Sequence, residues 1–135
     1  MSAENRRKSR EQAFIILFEK SFNEDMSFDE IINIAIEAEV IFKDEFMSEL
    51  IENVNNNLAE IDDEIRKNLK GWTMARISKV SLALLRLAIC EIKFLDSIPV
   101  GVSINEAVEL SKKYGSDEDK SFVNGVLGSV SRSGE

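Results

Sequence analysis

The chain contains no histidine, one cysteine and one proline among its 135 residues. Without histidine there is no imidazole for general acid–base catalysis or for a histidine-ligated metal site. The single Cys90 excludes an internal disulfide, and its apolar neighbours Ile89 and Ile92 predict a buried thiol. The six glycines begin only at Gly71. Because helix breakers are so rare, the sequence predicts an all-α protein.

Long apolar runs and catalytic motifs are also missing. No segment reaches the roughly 18 uninterrupted apolar residues of a membrane span, and no signal-peptide-like apolar stretch follows the charged N-terminus. We therefore expect a cytoplasmic protein that does not bind membranes. Carboxylates cluster at 62–64 and 117–119, but consecutive helical residues point in different directions, so we interpret both clusters as solvated helix starts. No glycine-rich phosphate loop or nucleophile elbow occurs, and we expect no enzymatic activity and no cofactor.

The negative charge is concentrated in one block of the sequence. The net charge is −8, yet residues 24–64 alone contain fourteen acidic residues and one basic residue. The flanking segments, 1–23 and 65–135, each have more basic than acidic residues. Exposed charges further apart than roughly 8–10 Å are largely screened from each other. The charge pattern is therefore compatible with a weak or partner-assisted nucleic-acid binder and argues against a strong autonomous one.

Helix-start signals and apolar periodicity predict a single domain, 1–135, built as a helical bundle with an N-terminal lobe at about 1–57 and a C-terminal lobe at about 58–135. Capping-box patterns start at Ser9, Ser27 and Ser103, and Asn57 fits a variant of the pattern. The first and fifth helices are apolar on nearly every face, which predicts that other helices surround them. The seven predicted helices lie near 7–22, 28–39, 44–56, 58–69, 78–95, 103–114 and 118–130.

A basic run near the N-terminus, Arg6-Arg7-Lys8-Ser9-Arg10, is the first candidate binding site. It fits a solvated, frayed terminus. It equally fits a phosphate-binding surface, because the forked guanidinium of arginine suits phosphate better than the point charge of lysine. Arg6 and Arg10 stand four residues apart, so a helix would place them on one face.

Phe122 is the second candidate. The last helix has an apolar stripe that includes Val123 and Val126, and Phe122 lies at its rim beside the small residues Gly125 and Ser129. The ring could be a loose core residue or a platform on which an unstacked base sits. Both interpretations remain open from the residues alone.

Three other residues have simpler interpretations. We interpret Trp72 as a packing residue between the lobes. Arg86 lies inside an apolar helix, so it requires a carboxylate or carbonyl partner. Glu106, with the neighbouring Asn105, is interpreted as helix-cap chemistry.

Several motifs, taken together, resemble the NusB family of bacterial transcription antitermination factors. They are INEAVELSKKYG at 104–115, KSFVNGVLG at 120–128, WTMARISKVSLALLRLAICEIKFLDSIP at 72–99 and the arginines at 6–10. Only about residues 21–45 lack a recognisable match. The resemblance implies binding of the single-stranded boxA element of ribosomal RNA leader transcripts. It implies two protein partners, the small-subunit ribosomal protein NusE and the antitermination complex on RNA polymerase.

The resemblance also implies site residues. In this family an arginine-rich N-terminus contacts RNA, which assigns that role to Arg6, Arg7 and Arg10. An aromatic residue and the acid four positions before it lie at the RNA surface, which assigns the role to Phe122 and Glu118. Lys120 is then a nearby phosphate contact. The family more often has aspartate where this chain has Glu118.

The chain departs from the family pattern at two further places. Ser81-Leu82 stands where an acid and a basic residue are usual, and Val100-Gly101 stands where an aromatic residue and a lysine are usual. The second departure predicts weaker RNA binding. One alternative is a protein–protein adaptor or homodimer without autonomous RNA binding. Another is the RNA-binding domain of a ribosomal RNA cytosine methyltransferase, although the chain is too short for a methyltransferase domain.

Overall fold

The computed structural model describes residues 3–133, which form seven α-helices and one short 3-10 turn, with no strand in that range. The all-α bundle predicted from the sequence is therefore confirmed. No described helix is both long and apolar enough to cross a membrane. The helices are α1 (Ala3–Phe22), α2 (Phe28–Glu37), α3 (Glu45–Asn56), α4 (Leu58–Lys67), α5 (Lys79–Phe94), α6 (Val100–Tyr114) and α7 (Asp117–Ser133), and the 3-10 turn is Met74–Arg76.

The starts of α2 and α3 are fixed by side-chain caps. The Glu30 N–H donates to Ser27 Oγ at 3.1 Å, and the Ser27 N–H donates to the Glu30 carboxylate at 3.2 Å. This reciprocal pair confirms the predicted capping box. Asp44 caps α3 by accepting from the N–H groups of Phe46 and Met47. Asn57 precedes α4 but makes no side-chain cap bond there.

The other two predicted capping boxes are wrong, because both serines lie inside helices. Ser9 is more than one turn into α1, and its hydroxyl donates to the Asn5 carbonyl at 3.0 Å. Ser103 lies in α6, which begins earlier, after Pro99. The Pro99 ring holds φ at −60°, and its carbonyl accepts from the N–H groups of Val102 and Ser103. The helix therefore has its first turn before the predicted box.

Helix α5 is the centre of the bundle. It packs against α1, α3, α4, α6 and α7, and Leu84, Leu85 and Ile89 on it are fully buried. This confirms that other helices surround it. The buried apolar residues form one continuous core, and the lobe boundary near residue 57 stays a prediction.

Arg86 has the kind of partner that the sequence analysis expected, a carboxylate, which Asp62 on α4 supplies. Arg86 Nε and Nη2 each donate to one Asp62 carboxylate oxygen, both at 2.9 Å. This two-bond geometry suits the planar guanidinium and joins α4 to α5.

Candidate nucleic-acid interface

Arg10 is not on the protein surface. Only 3% of it is exposed, and Nε lies 3.0 and 2.9 Å from the two oxygens of Glu91, which is 1% exposed. The Ser103 hydroxyl donates to the same carboxylate at 2.9 Å. The assignment of Arg10 as an RNA contact is therefore corrected, because its charge is already paired inside the protein.

The other three basic residues of the run are more exposed than Arg10. The Arg7 side chain is 66% exposed, and its Nε donates to Glu106 Oε1 at 3.0 Å. This hydrogen bond raises the pKa of the Arg7 guanidinium. Arg6 is half-buried, with its guanidinium carbon 5.1 Å from the centroid of the Phe46 ring. Lys8 is exposed.

Glu106 is not the helix cap that the sequence suggested. It is 7% exposed, and besides Arg7 it has Arg10 Nη1 at 3.7 Å. Its carboxylate therefore holds two guanidinium groups of α1 against α6. The position of Arg7 depends on this carboxylate.

An open cleft lies between α1 and α6 beside Arg7. We call it the arginine cleft; its volume is about 630 Å³. Lys113 closes one side by donating to Glu11 at 2.7 Å, and the Tyr114 hydroxyl donates to the same carboxylate at 2.8 Å. The cleft thus carries charges of both signs. Its lining residues are Arg7, Arg10, Glu11, Asn105, Glu106, Glu109, Leu110, Lys112 and Lys113.

A second cleft, of about 610 Å³, lies where α7 meets the segment before α5. We call it the aromatic cleft. The rings of Phe122 and Trp72 line it, with Glu118 exposed one helical turn before Phe122. The two ring centroids are 5.5 Å apart. Phe122 is half-buried and packs on the edge of the core, which confirms its predicted position on the rim.

Trp72 lines the aromatic cleft, a position that the sequence analysis did not predict. It was expected to be a packing residue, but it is 49% exposed. The Arg76 guanidinium carbon lies 5.6 Å from the centroid of its ring. The preceding Gly71, with φ of +78°, turns the chain before the indole. A glycine directly before the only tryptophan was the available signal.

Asp119 anchors the wall of the aromatic cleft. Its carboxylate accepts from the Ser78 hydroxyl at 2.6 Å, the Ser81 hydroxyl at 2.8 Å and the Ser116 N–H at 2.9 Å. Burial raises the pKa of Asp119, but these hydrogen bonds outweigh burial and lower the pKa below its usual value. A Cβ at Gly115 would lie 2.8 Å from this carboxylate, so any larger residue there would force the Asp119 side chain to shift. The departure Ser81 thus has a structural role, joining α5 to α7.

The NusB family model matches residues 7–132. The transcription antitermination protein NusB of Listeria monocytogenes serotype 4b is 46% identical over 125 residues, covering 93% of this chain and 94% of that protein. The NusB protein of Clostridium botulinum strain Kyoto is 40% identical over 141 residues, covering 93% of this chain and 99% of that protein. This chain belongs to the NusB family.

Solved NusB structures share the fold. A crystal structure of the antitermination factors NusB and NusE in complex with double-stranded RNA superposes with a TM-score of 0.87 at 27% identity, covering 98% of this chain and 99% of that one. NusB of T. maritima superposes with a TM-score of 0.82 at 32% identity, covering 94% of this chain and 90% of that one.

The structure groups the residues that the NusB resemblance assigned to RNA binding into separate places. Glu118 and Phe122 share the aromatic cleft. Arg7 lines the arginine cleft. Lys120 is half-buried and lines neither cleft. Their contacts with RNA stay predictions.

Proposed function

We propose that this NusB-family protein binds single-stranded, boxA-like RNA of ribosomal RNA leader transcripts together with the small-subunit ribosomal protein NusE. It does so within the antitermination complex on RNA polymerase, and it catalyses no reaction. The observation that carries the RNA part is the ring pair of one open cleft, the half-exposed Trp72 and the half-buried Phe122. The solved complex of NusB with NusE and double-stranded RNA supports NusE and RNA as partners, whereas the preference for a single strand rests on the two rings.

The ring pair favours single-stranded RNA because an unpaired base can stack on an exposed aromatic ring, whereas a duplex keeps its base faces covered. Trp72 is about half exposed, so its ring is accessible to a base. Glu118 adds an exposed carboxylate, which can accept a hydrogen bond from the exocyclic amino group of a base. The same carboxylate repels phosphate, so we expect it to favour bases over backbone. Arg76, which lines the same cleft beside Trp72, is the cation there that a phosphate can reach.

The charges predict modest affinity without a partner. Arg7 already pairs with Glu106, so a phosphate must compete with that carboxylate. Residues 24–64 add strong negative charge. A ribosomal protein partner that brings its own phosphate contacts would offset both effects.

The test is a titration of a labelled boxA-like RNA with and without purified NusE. We expect NusE to tighten binding at least about tenfold, and a scrambled RNA of the same composition to bind more weakly. A duplex of the same sequence should also bind more weakly. Equal affinity for all three RNAs, or no effect of NusE, would reject the proposal.

The salt dependence of RNA binding measures how much Arg7 and Lys8 contribute to phosphate contacts. Replacing Arg7 and Lys8 by glutamine should flatten the slope of log affinity against log salt by about 0.7 for each phosphate that these side chains neutralise. Lys43→Gln, at an exposed position in the acidic block, is the matched control and should leave the slope unchanged. The slope should also survive Arg10→Met in the folded protein, because Arg10 is buried. An unchanged slope in the Arg7 and Lys8 variant would remove this surface from the RNA site.

A further inference from the structure

An apolar groove lies between α1 and α2, apart from the aromatic cleft and the arginine cleft. We call it the α2 groove; its volume is about 270 Å³. Ile34 and Val40 on its rim are 55% and 56% exposed. Single exposed aliphatic residues are ordinary, but neighbours around a groove indicate an interaction site. The lining residues are Ile15, Glu19, Asn23, Met26, Ile31, Ile34, Ala35, Ala38 and Val40.

The shape of the groove is fixed by the ends of α2. The capping box at Ser27 sets the start of the helix. At its end, Glu39 adopts the left-handed conformation, with φ of +59°. The chain then reverses, and the Val40 N–H donates to the Ala35 carbonyl at 2.9 Å. The rim residue Val40 is therefore held by backbone hydrogen bonding.

The rim is acidic. Glu19 lines the groove, and Glu37 and Glu39 are exposed beside its lining residues Ala38 and Val40. Among the described residues, none of these three carboxylates forms a salt bridge. An apolar floor with unpaired acids at its rim repels RNA and attracts a cationic apolar ligand.

We propose that the α2 groove binds an amphipathic helix of a protein partner. The helix would insert aliphatic side chains spaced one turn apart, and its lysines or arginines would face Glu19, Glu37 and Glu39. The acidic rim favours a positively charged partner helix. The apolar floor requires that this helix carry aliphatic side chains along one face. This site is independent of the proposed RNA function, so either proposal can fail alone.

The test uses a panel of labelled synthetic peptides of about four helical turns, with leucines at i, i+4 and i+7 in varied register and lysines at flanking positions. Each has a twin with glutamate in place of every lysine. By fluorescence anisotropy, at least one lysine peptide should bind about tenfold or more tighter than its twin. Added salt should weaken that binding.

Two variants locate the binding site. Ile34→Ser combined with Val40→Ser should weaken binding at least about tenfold, with circular dichroism unchanged because both side chains are mostly exposed. Val102→Ser, at a 42% exposed valine on α6, is the matched control and should bind like the parent. Likewise, Glu19→Gln with Glu39→Gln should weaken binding, whereas Glu52→Gln, at an exposed glutamate of α3, should not.

Several outcomes would overturn the proposal. They are no binding by any peptide, equal binding of lysine and glutamate twins, and binding that survives the two serine substitutions. Sedimentation analysis adds another: self-association that the serine substitutions abolish would assign the groove to a second copy of this chain. Val40 also lines a cleft with Arg7 and Lys8, so the RNA titration uses Ile34→Ser alone. This variant should match the parent, which separates the test from that of the RNA site.

Discussion

The indole of Trp72 and the phenyl ring of Phe122 lie with their centroids 5.5 Å apart and their planes at 57°. The rings come from different elements, since Trp72 precedes α5 and Phe122 belongs to α7. They differ in burial, because only Phe122 packs against the core. Replacing each ring in turn therefore distinguishes a loss of RNA stacking from a loss of folding stability.

Trp72→Ala should lower the affinity for boxA-like RNA by about 1–3 kcal/mol, the usual contribution of one base–aromatic stack. Its cost to the free energy of unfolding should be about 1 kcal/mol or less, because half of the side chain is exposed. Phe122→Ala should lower the affinity by a similar amount but cost about 1–2 kcal/mol of stability. Denaturant melts beside RNA titrations measure both quantities.

Val126→Ala is the control for these ring variants. Val126 is 5% exposed, so the substitution should destabilise the fold by about 1 kcal/mol or more and leave the RNA affinity of the folded fraction intact. If Trp72→Ala and Phe122→Ala behave like this control, the rings are packing residues and not a base platform.

Arg10→Met should lower the free energy of unfolding by about 3–5 kcal/mol, because it leaves Glu91 buried without its cation. Replacing both residues by methionine should recover most of that stability. Urea unfolding measures each variant. Arg66→Met is the control: Arg66 and Asp63 form an exposed pair, worth about 1 kcal/mol at most. A stable Arg10→Met protein would show that the buried pair is dispensable.

Glu39→Gly should stabilise the protein by about 0.5–1 kcal/mol. Glu39 has φ of +59°, a left-handed conformation that costs most residues with a Cβ roughly 1–2 kcal/mol and glycine little. Gly71→Ala tests the converse, since φ of +78° should make it destabilising by about 1 kcal/mol. Thermal melts of both variants should shift in opposite directions. A lower melting temperature for Glu39→Gly would contradict this account.

Burial, followed by the charge of Glu91, raises the pKa of the Cys90 thiol to about 12 from its ordinary value of 9.0. The native thiol should therefore resist alkylation at pH 8, whereas the urea-unfolded thiol should react readily. The unfolded chain releases this proton at lower pH than the native protein. The contribution of the protonated Cys90 thiol to the free energy of unfolding should therefore be complete below pH 9 and fall between pH 9 and 12. Cys90→Ala should lack this part of the decline, as alkaline unfolding curves would show.

Local sequence patterns were enough to predict all seven helices, because apolar periodicity and breakers act over a few residues. The predicted capping boxes at Ser9 and Ser103 were wrong because a short motif does not show where a helix begins. A serine followed three residues later by glutamine or glutamate caps a helix only if the helix begins there. In both cases the helix had already started upstream.

The roles of Arg10 and Glu106 could not be predicted locally. Arg10 pairs with Glu91 across 81 positions, and Arg7 pairs with Glu106 across 99. Helical spacing places Arg10 on the face of α1 that carries the buried Ala13 and Phe14, so the local pattern favours burial of Arg10 over Arg7. It does not identify Glu91 as the partner, because only the packing of α1 on α5 and α6 brings that carboxylate to Arg10.

Because Arg10 pairs with Glu91, the core around α1 cannot finish folding until α5 has been synthesised. The chain leaves the ribosome with its N-terminus first, so α1 emerges long before α5 carries Glu91 out. Until then, the apolar residues Phe14 and Ile16, which are fully buried in the finished protein, have no α5 to cover them. This interval is when the nascent chain is most exposed to aggregation and to chaperones that bind apolar segments.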